Sequence, residues 1–318
     1  MTTGAQAVVD AGGAELTRIM DRVEQRMGEL ATGHGPVLAR HAGDTISAGG
    51  KRLRPLLVCL AAGAPPPETD GLVRAAVAVE LVHGATLVHD DVLDGSALRR
   101  GRPTVVATGG RGAATATGDL LFSRAFAELA GGGSVDSVRV LARASRELAL
   151  GELTQREDAY RLDVTVDRYL GRCRLKTAVL FRAACELGAL EAGGKPEALG
   201  AFGERIGLAF QILDDVLDVT GPPERTGKPR GADLLDGTVT LPLILAMERD
   251  PEIQPLSVHT TEDAAAVCDR IAATGALEDA RTQGQELVAE AKRSLPALPL
   301  RQREALELAA DVMVQRYA

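Results

Sequence analysis

The sequence predicts an all-α fold, a single domain over residues 1–318 built as a bundle of roughly ten or more helices. Two observations carry that expectation. Apolar residues recur at helical spacing along most of the chain, and no stretch shows strand alternation bounded by hairpin turns. The connecting pieces, such as "GAPPPETDG", "AGGGS" and "EAGGKP", are short and rich in Gly and Pro, and none reads as an interdomain linker.

From the N-terminus, the first ~10–15 residues are expected to be disordered. Residues 15–31 read as an amphipathic helix with Leu16, Ile19, Met20, Val23, Met27 and Leu30 on one side. Residues 72–92 are apolar almost all round, which marks a central helix. Helical spacing continues through 113–130, 137–158, 166–191, 197–218, 239–248, 262–273, 276–294 and 301–316. Residues 220–238, "TGPPERTGKPRGADLLDGT", mix Gly and Pro with charged side chains. They read either as a plain connecting loop or as a lid over a charged site.

Composition narrows the function. The net charge is −8 and the pI about 5.3, which argues against nucleic acid as a partner, since that role needs a basic face. The N-terminal residues lack a basic start and a long apolar run, so a cytoplasmic location is expected. No integral membrane segment is expected, because "AAVAVELVHGATLVH" is interrupted by Glu80 and His83. Cys59, Cys173, Cys185 and Cys268 lie far apart and form no CxxC pair, which suits reduced thiols. With no Trp, five Phe and three Tyr, any cavity would be lined by aliphatic and small side chains.

The chemistry concentrates in a repeated stretch. "DDVLD" occurs at 90–94 and again at 214–218, each time after apolar sequence, "GATLV" and "GLAFQIL". Residues four apart share a helix face, so Asp90 pairs with Asp94 and Asp214 with Asp218, while Asp91 and Asp215 are turned about 100° away. Like charges on one turn destabilise a helix by a few tenths of a kcal/mol per pair, and a bound dication reverses that sign. Carboxylate oxygens suit hard cations, and Mg²⁺ commonly bridges to substrate phosphate. Basic residues accompany both copies: Lys51 and Arg54 in "GGKRLRP", Arg99 and Arg100 in "LRRG", Lys176 with Thr177 in "LKTA", and Lys228. Arg forks bind phosphate oxygens in pairs, and Lys binds as a point charge. Together the groups suggest a magnesium-bridged diphosphate and a second anion held directly by Arg and Lys.

"GGKRLRP", "LVHDDVLDGSALRRG", "GDLLFSRAF", "LKTA", "GLAFQILDDVLD" and "TGKPRGADLLDGTVTLP" resemble, in order and spacing, the signature segments of trans-isoprenyl diphosphate synthases. The resemblance covers about residues 45–250. It implies an all-α bundle around a deep central cavity, usually a homodimer, that joins an allylic diphosphate head to tail with isopentenyl diphosphate. It also implies Mg²⁺, three ions with substrate bound. On this resemblance Asp90, Asp94, Asp214 and Asp218 belong to the metal set, with Asp91 and Asp215 in support. Arg99, Lys176, Thr177, Gln211 and Lys228 would contact the allylic diphosphate. Lys51, Arg54, His83 and Arg100 would hold isopentenyl diphosphate near Phe210, although His83 reads equally as a core histidine. Thr238 stands where the family often has Lys.

Product length would follow cavity depth beside the first motif. Thr86 and Ala85, four and five residues before Asp90, are small, and Val82 and Val79 one turn deeper are modest. That pattern implies at least about twenty carbons, leaning to longer chains. Three other readings stay open: geranylgeranyl diphosphate synthesis as the main activity, a class I terpene cyclase, and a non-catalytic synthase subunit. Few aromatics count against the second, and intact acidic and basic motifs against the third.

Overall fold

The computed structural model describes residues 3–32, 41, 43, 45–46, 52–99, 101–132, 134–221, 229–253 and 255–315. In chain order its helices are α1 (Thr3–Thr32), α2 (Leu53–Ala62), α3 (Asp70–Leu93), α4 (Val105–Gly131), α5 (Val135–Asp158), α6 (Val166–Cys173), α7 (Val179–Glu191), α8 (Pro196–Thr220), α9 (Ala232–Leu235), α10 (Leu241–Arg249), α11 (Thr261–Ala273), α12 (Ala276–Arg293) and α13 (Leu300–Gln315). A π-helical segment, Arg174–Ala178, joins α6 to α7. Among the described residues the only sheet is a two-stranded hairpin, β1 (Leu98–Arg99) with β2 (Arg102–Pro103). The fold is therefore all-α, as the periodicity requires. By its contacts the chain divides into two compact units: residues 1–145, 180–203 and 294–313, and residues 146–179, 204–293 and 314–318.

In the first unit, α1 buries the six residues picked out by periodicity, Leu16, Ile19, Met20, Val23, Met27 and Leu30. The helix starts at Thr3 rather than after a disordered stretch, because Val8 and Val9 also find cover. Gly13, at φ 82°, takes up the kink between its two parts. Helix α2 has no polar face, so periodicity alone does not reveal it; all but one of its ten residues are buried. Gln302 on α13 donates to Leu60 O and Ala61 O, both at 3.0 Å, and so satisfies carbonyls at the α2 terminus.

Helix α3 is long and apolar enough to cross a membrane by length and composition, a property the sequence reading understated. Its apolar residues are instead covered by protein, from Leu72 to Val92. Glu80 is tolerated there because Arg52, itself 7% exposed, reaches it at 3.0 Å and also binds Glu24 at 2.6 Å. A buried charge without such a partner would cost several kcal/mol.

The second unit has its own core, in which Tyr169, Ile212, Leu241, Ile271 and Ala280 are all fully buried. Thr260 and Asp263 close a reciprocal cap at the start of α11. The helix expected over 166–191 is interrupted, since its middle turn widens to the π segment that carries Lys176 and Thr177. Helix α5 packs closely against that turn. A Cβ built on Gly151 would lie 2.5 Å from Lys176 N and 2.8 Å from Leu175 C, so only glycine fits. Gly151→Ala should force the two backbones apart and lower unfolding stability by about 1–3 kcal/mol, read from a denaturant midpoint. An unchanged midpoint would contradict the close approach.

Candidate active site

The first acidic motif lies at the end of α3. Asp94 caps the helix, donating its N–H to Asp90 O at 2.8 Å, and Gly95, at φ 62°, turns the chain. Ser96 N donates to Asp91 O at 3.1 Å, and the Thr104 hydroxyl donates to Ser96 O at 2.6 Å. The β1–β2 hairpin then returns Arg99 to the helix it has just left. Arg99 Nε and Nη2 each lie 2.8 Å from Asp91 Oδ1. Asp91 is 4% exposed, whereas Asp90 is half-buried and Asp94 is exposed. A cavity of about 270 Å³ opens beside this pair and includes Arg102, Thr104, Thr108, His41 and Thr45.

The second motif, on α8, divides in the same way. Asp214 is exposed, Asp218 is half-buried and Asp215 is 4% exposed. Asp215 Oδ2 accepts from the Tyr169 hydroxyl at 2.7 Å, and Oδ1 accepts from Gln211 Nε2 at 2.7 Å. Gln211 Oε1 in turn accepts from the Thr177 hydroxyl at 2.6 Å. Burial pushes the Asp215 carboxyl well above the usual carboxylate range, and the nearby charges of Asp233 and Asp214 push the same way. Burial likewise raises the Tyr169 phenol, with the charge of Asp215 adding to it.

The π segment supplies a lysine to this unit. Lys176 Nζ lies 2.6 Å from Glu152 Oε2 on α5, one residue beyond the glycine that admits the close packing. Burial alone would raise the Glu152 carboxyl, but Lys176 and Arg156 outweigh it and hold the group below its ordinary value of 4.5. The segment after α8 is tied back to the motif: Gly231 N donates to Asp218 O at 3.0 Å and Asp233 N to Asp218 Oδ2 at 3.2 Å. Thr238 N donates to Asp233 O at 2.8 Å, so this residue closes a turn within the same segment.

The remaining expected residues are placed as follows. Arg54 is half-buried, with its guanidinium 4.6 Å from the centroid of the Phe181 ring. His83 is half-buried beside a small cavity of about 30 Å³ that also touches Arg52 and Glu80. Phe210 is half-buried against Leu213 and Leu217. Val79, Val82 and Ala85 are fully buried, and Thr86 is half-buried with its hydroxyl donating to His83 O at 2.8 Å. Lys51, Arg100 and Lys228 lie outside the described residues, as does 222–228 of the expected lid.

Within each unit taken by itself, the outward pair, Asp90 with Asp94 or Asp214 with Asp218, offers only carboxylate oxygens, which suits a hard dication such as Mg²⁺. Among the described residues, no three Asp, Glu, His or Cys side chains converge as a preformed metal centre. Such a donor set fits a cation that completes its shell with water and substrate oxygen.

Sequence reasoning passed over Tyr169 and Glu152. A faint signal existed for Tyr169, which precedes Lys176 by two helical turns in a chain with three tyrosines. Nothing distinguished Glu152 from the other acidic residues of α5. Because the Glu152 pKa is lower in the folded chain, its ion pair contributes stability above about pH 4.5 and loses it as pH falls through the lowered value. Glu152→Gln should therefore flatten the acid limb of a plot of thermal midpoint against pH. An acid limb as steep as that of the parent would contradict the pairing.

The sequence model of the polyprenyl synthetase family matches residues 36–273. The chain is 41% identical over 281 residues to heptaprenyl diphosphate synthase component 2 of Geobacillus stearothermophilus, covering 86% of this chain and 87% of that one. Its fold is similar to a decaprenyl diphosphate synthase from Rhodobacter capsulatus, with TM-score 0.88, 33% identity and 99% of each chain covered. It is also similar to a polyprenyl synthase from Caulobacter crescentus CB15, solved with calcium and isoprenyl diphosphate, with TM-score 0.90, 36% identity and 99% and 98% of the two chains covered. On its sequence, its helices and its two acidic motifs, the chain belongs to the polyprenyl synthetase family and is a prenyltransferase.

Proposed function

We propose that this chain is a long-chain trans-polyprenyl diphosphate synthase, condensing an allylic diphosphate head to tail with isopentenyl diphosphate in the cytoplasm. The observation that carries the reading is the identical division of the two "DDVLD" copies. In each, the second aspartate is buried and bonded, and the first and last are left more open. A repeat kept for packing alone would have no reason to leave the same two carboxylates out.

In this reading Asp90, Asp94, Asp214 and Asp218 hold magnesium, three ions once substrate is present. The bound metal supplies Lewis-acid charge to the leaving diphosphate. Lys176, Arg99 and Lys228 place further positive charge at the allylic diphosphate as its C–O bond breaks, and Thr177 and Gln211 contact its oxygens. Lys51, Arg54, His83 and Arg100 hold isopentenyl diphosphate, with Phe210 beside it, so that its alkene meets the allylic cation. The new C–C bond leaves the positive charge on the isopentenyl unit, which loses a proton to the departing diphosphate and so forms the new double bond. Asp91 and Asp215 serve the site from behind, by fixing Arg99 and Gln211. Lys176 reaches substrate only by sharing or leaving Glu152, which keeps the ammonium placed until then.

Relatives named for heptaprenyl and decaprenyl products, together with small residues at Ala85 and Thr86, support a product beyond about twenty carbons. The first relative is named as one component of its synthase, which favours a second reading in which this chain also works with a partner subunit rather than as a homodimer. Purified chain given Mg²⁺, isopentenyl diphosphate and an allylic primer should release long prenyl diphosphates, sized by chromatography. No product from the chain alone would favour the partner reading, and short products only would overturn the long-chain one. Asp90→Ala or Asp214→Ala should abolish condensation while leaving the helical circular dichroism signal unchanged. Thr86→Phe, at a half-buried position, should shorten the products; an unchanged length distribution would remove this wall from the pocket.

A further inference from the structure

Tyr169 is fully buried, and no contact with substrate has been assigned to it. It shares Asp215 with Gln211, one oxygen each, at 2.7 Å and 2.7 Å. The division has a consequence for polarity. Gln211 turns its amide nitrogen toward Asp215 Oδ1. Its carbonyl oxygen then faces Thr177 and accepts that hydroxyl at 2.6 Å. One orientation of Asp215 thus sets the orientation of Gln211, which in turn sets the hydroxyl of Thr177, the residue beside Lys176 on the π segment.

We propose that Tyr169 is a positioning residue for the allylic diphosphate: by occupying Oδ2 of Asp215 it locks the Asp215–Gln211–Thr177 chain in the one arrangement that presents Gln211 and Thr177 to that substrate. The inference rests on the proposed synthase reading. Without the phenol hydroxyl, Oδ2 of a buried carboxyl has lost its donor and must turn to find another. The nearest donor already bonded to this carboxyl is the Gln211 amide. Asp215 and Gln211 would then rearrange together, and Thr177 would lose its acceptor. Packing alone would not demand this hydroxyl, because a phenylalanine ring fills the same volume. The guanidinium of Arg172, 5.6 Å from the Tyr169 ring centroid, would meet that ring equally well.

Tyr169→Phe tests this. KM for the allylic diphosphate should rise about tenfold, the effect of disturbing a buried hydrogen-bond chain that ends on a charged ligand, while KM for isopentenyl diphosphate stays within about twofold. In a double-mutant cycle, Tyr169→Phe should add almost nothing in a Gln211→Ala background. Equal shifts in both KM values, multiplicative losses in the cycle, or an unchanged allylic KM would each overturn the proposal. If Tyr169→Phe does not fold, Asp215→Asn carries the test. It keeps an acceptor for Tyr169 but turns an N–H toward Gln211, so the same selective rise in allylic KM is expected and its absence overturns the idea. The parent protein is run alongside. If it makes no prenyl diphosphate alone, the homodimer reading gives way to the partner one, and calorimetric binding of the allylic diphosphate with Mg²⁺ to parent and Tyr169→Phe still decides the role of Tyr169.

Discussion

Everything at the candidate site depends on where two carboxylates are buried. Asp91 and Asp215 are each 4% exposed, and a carboxylate in that setting needs donors. Asp91 receives the Arg99 guanidinium, and Asp215 receives a phenol and an amide. With those bonds made, helix geometry does the rest. Fixing the second aspartate of each motif inward carries the first and the last to the more open side, and like charges crowd there because the buried bonds hold the turn. The two anchors differ in kind. A cation keeps Asp91 company, whereas Asp215 has neutral donors and acidic neighbours, and burial drives its carboxyl upward.

The site's cations are held in the same manner. Arg99 is pinned by Asp91, Lys176 by Glu152, and Arg54 lies on the face of Phe181. Each is pre-placed by a neighbour of its own unit, so little side-chain freedom remains to be lost when an anion arrives. Gly151 extends the principle to the backbone, because its missing side chain lets α5 bring Glu152 up to the π segment.

Much of this was legible in the chain. The i, i+4 spacing of the aspartates foretold which would share a face, and the six residues that periodicity named on α1 are all buried. The break at Arg174–Ala178 was not legible, since a π segment keeps helical composition and changes only the hydrogen-bond register. Helix α2 escaped because a run buried on every side has no period to detect. The apolar character of α3 was underrated because Glu80 and His83 read as interruptions, whereas Arg52 neutralises the first of them inside the core. The partners of Asp215 could not be read at all: Tyr169 lies 46 positions away in the chain, and only tertiary packing brings it there.

The central claim is that each acidic motif separates into an inward anchor and an outward pair of ligands. Anomalous diffraction at the manganese edge, from crystals grown with Mn²⁺ and an unreactive allylic diphosphate analogue, tests it most directly. The account expects manganese within coordination distance of Asp90, Asp94, Asp214 and Asp218, with Asp91 still on Arg99 and Asp215 still on Tyr169 and Gln211. Manganese bound directly to Asp91 or Asp215, with those hydrogen bonds broken, would contradict it.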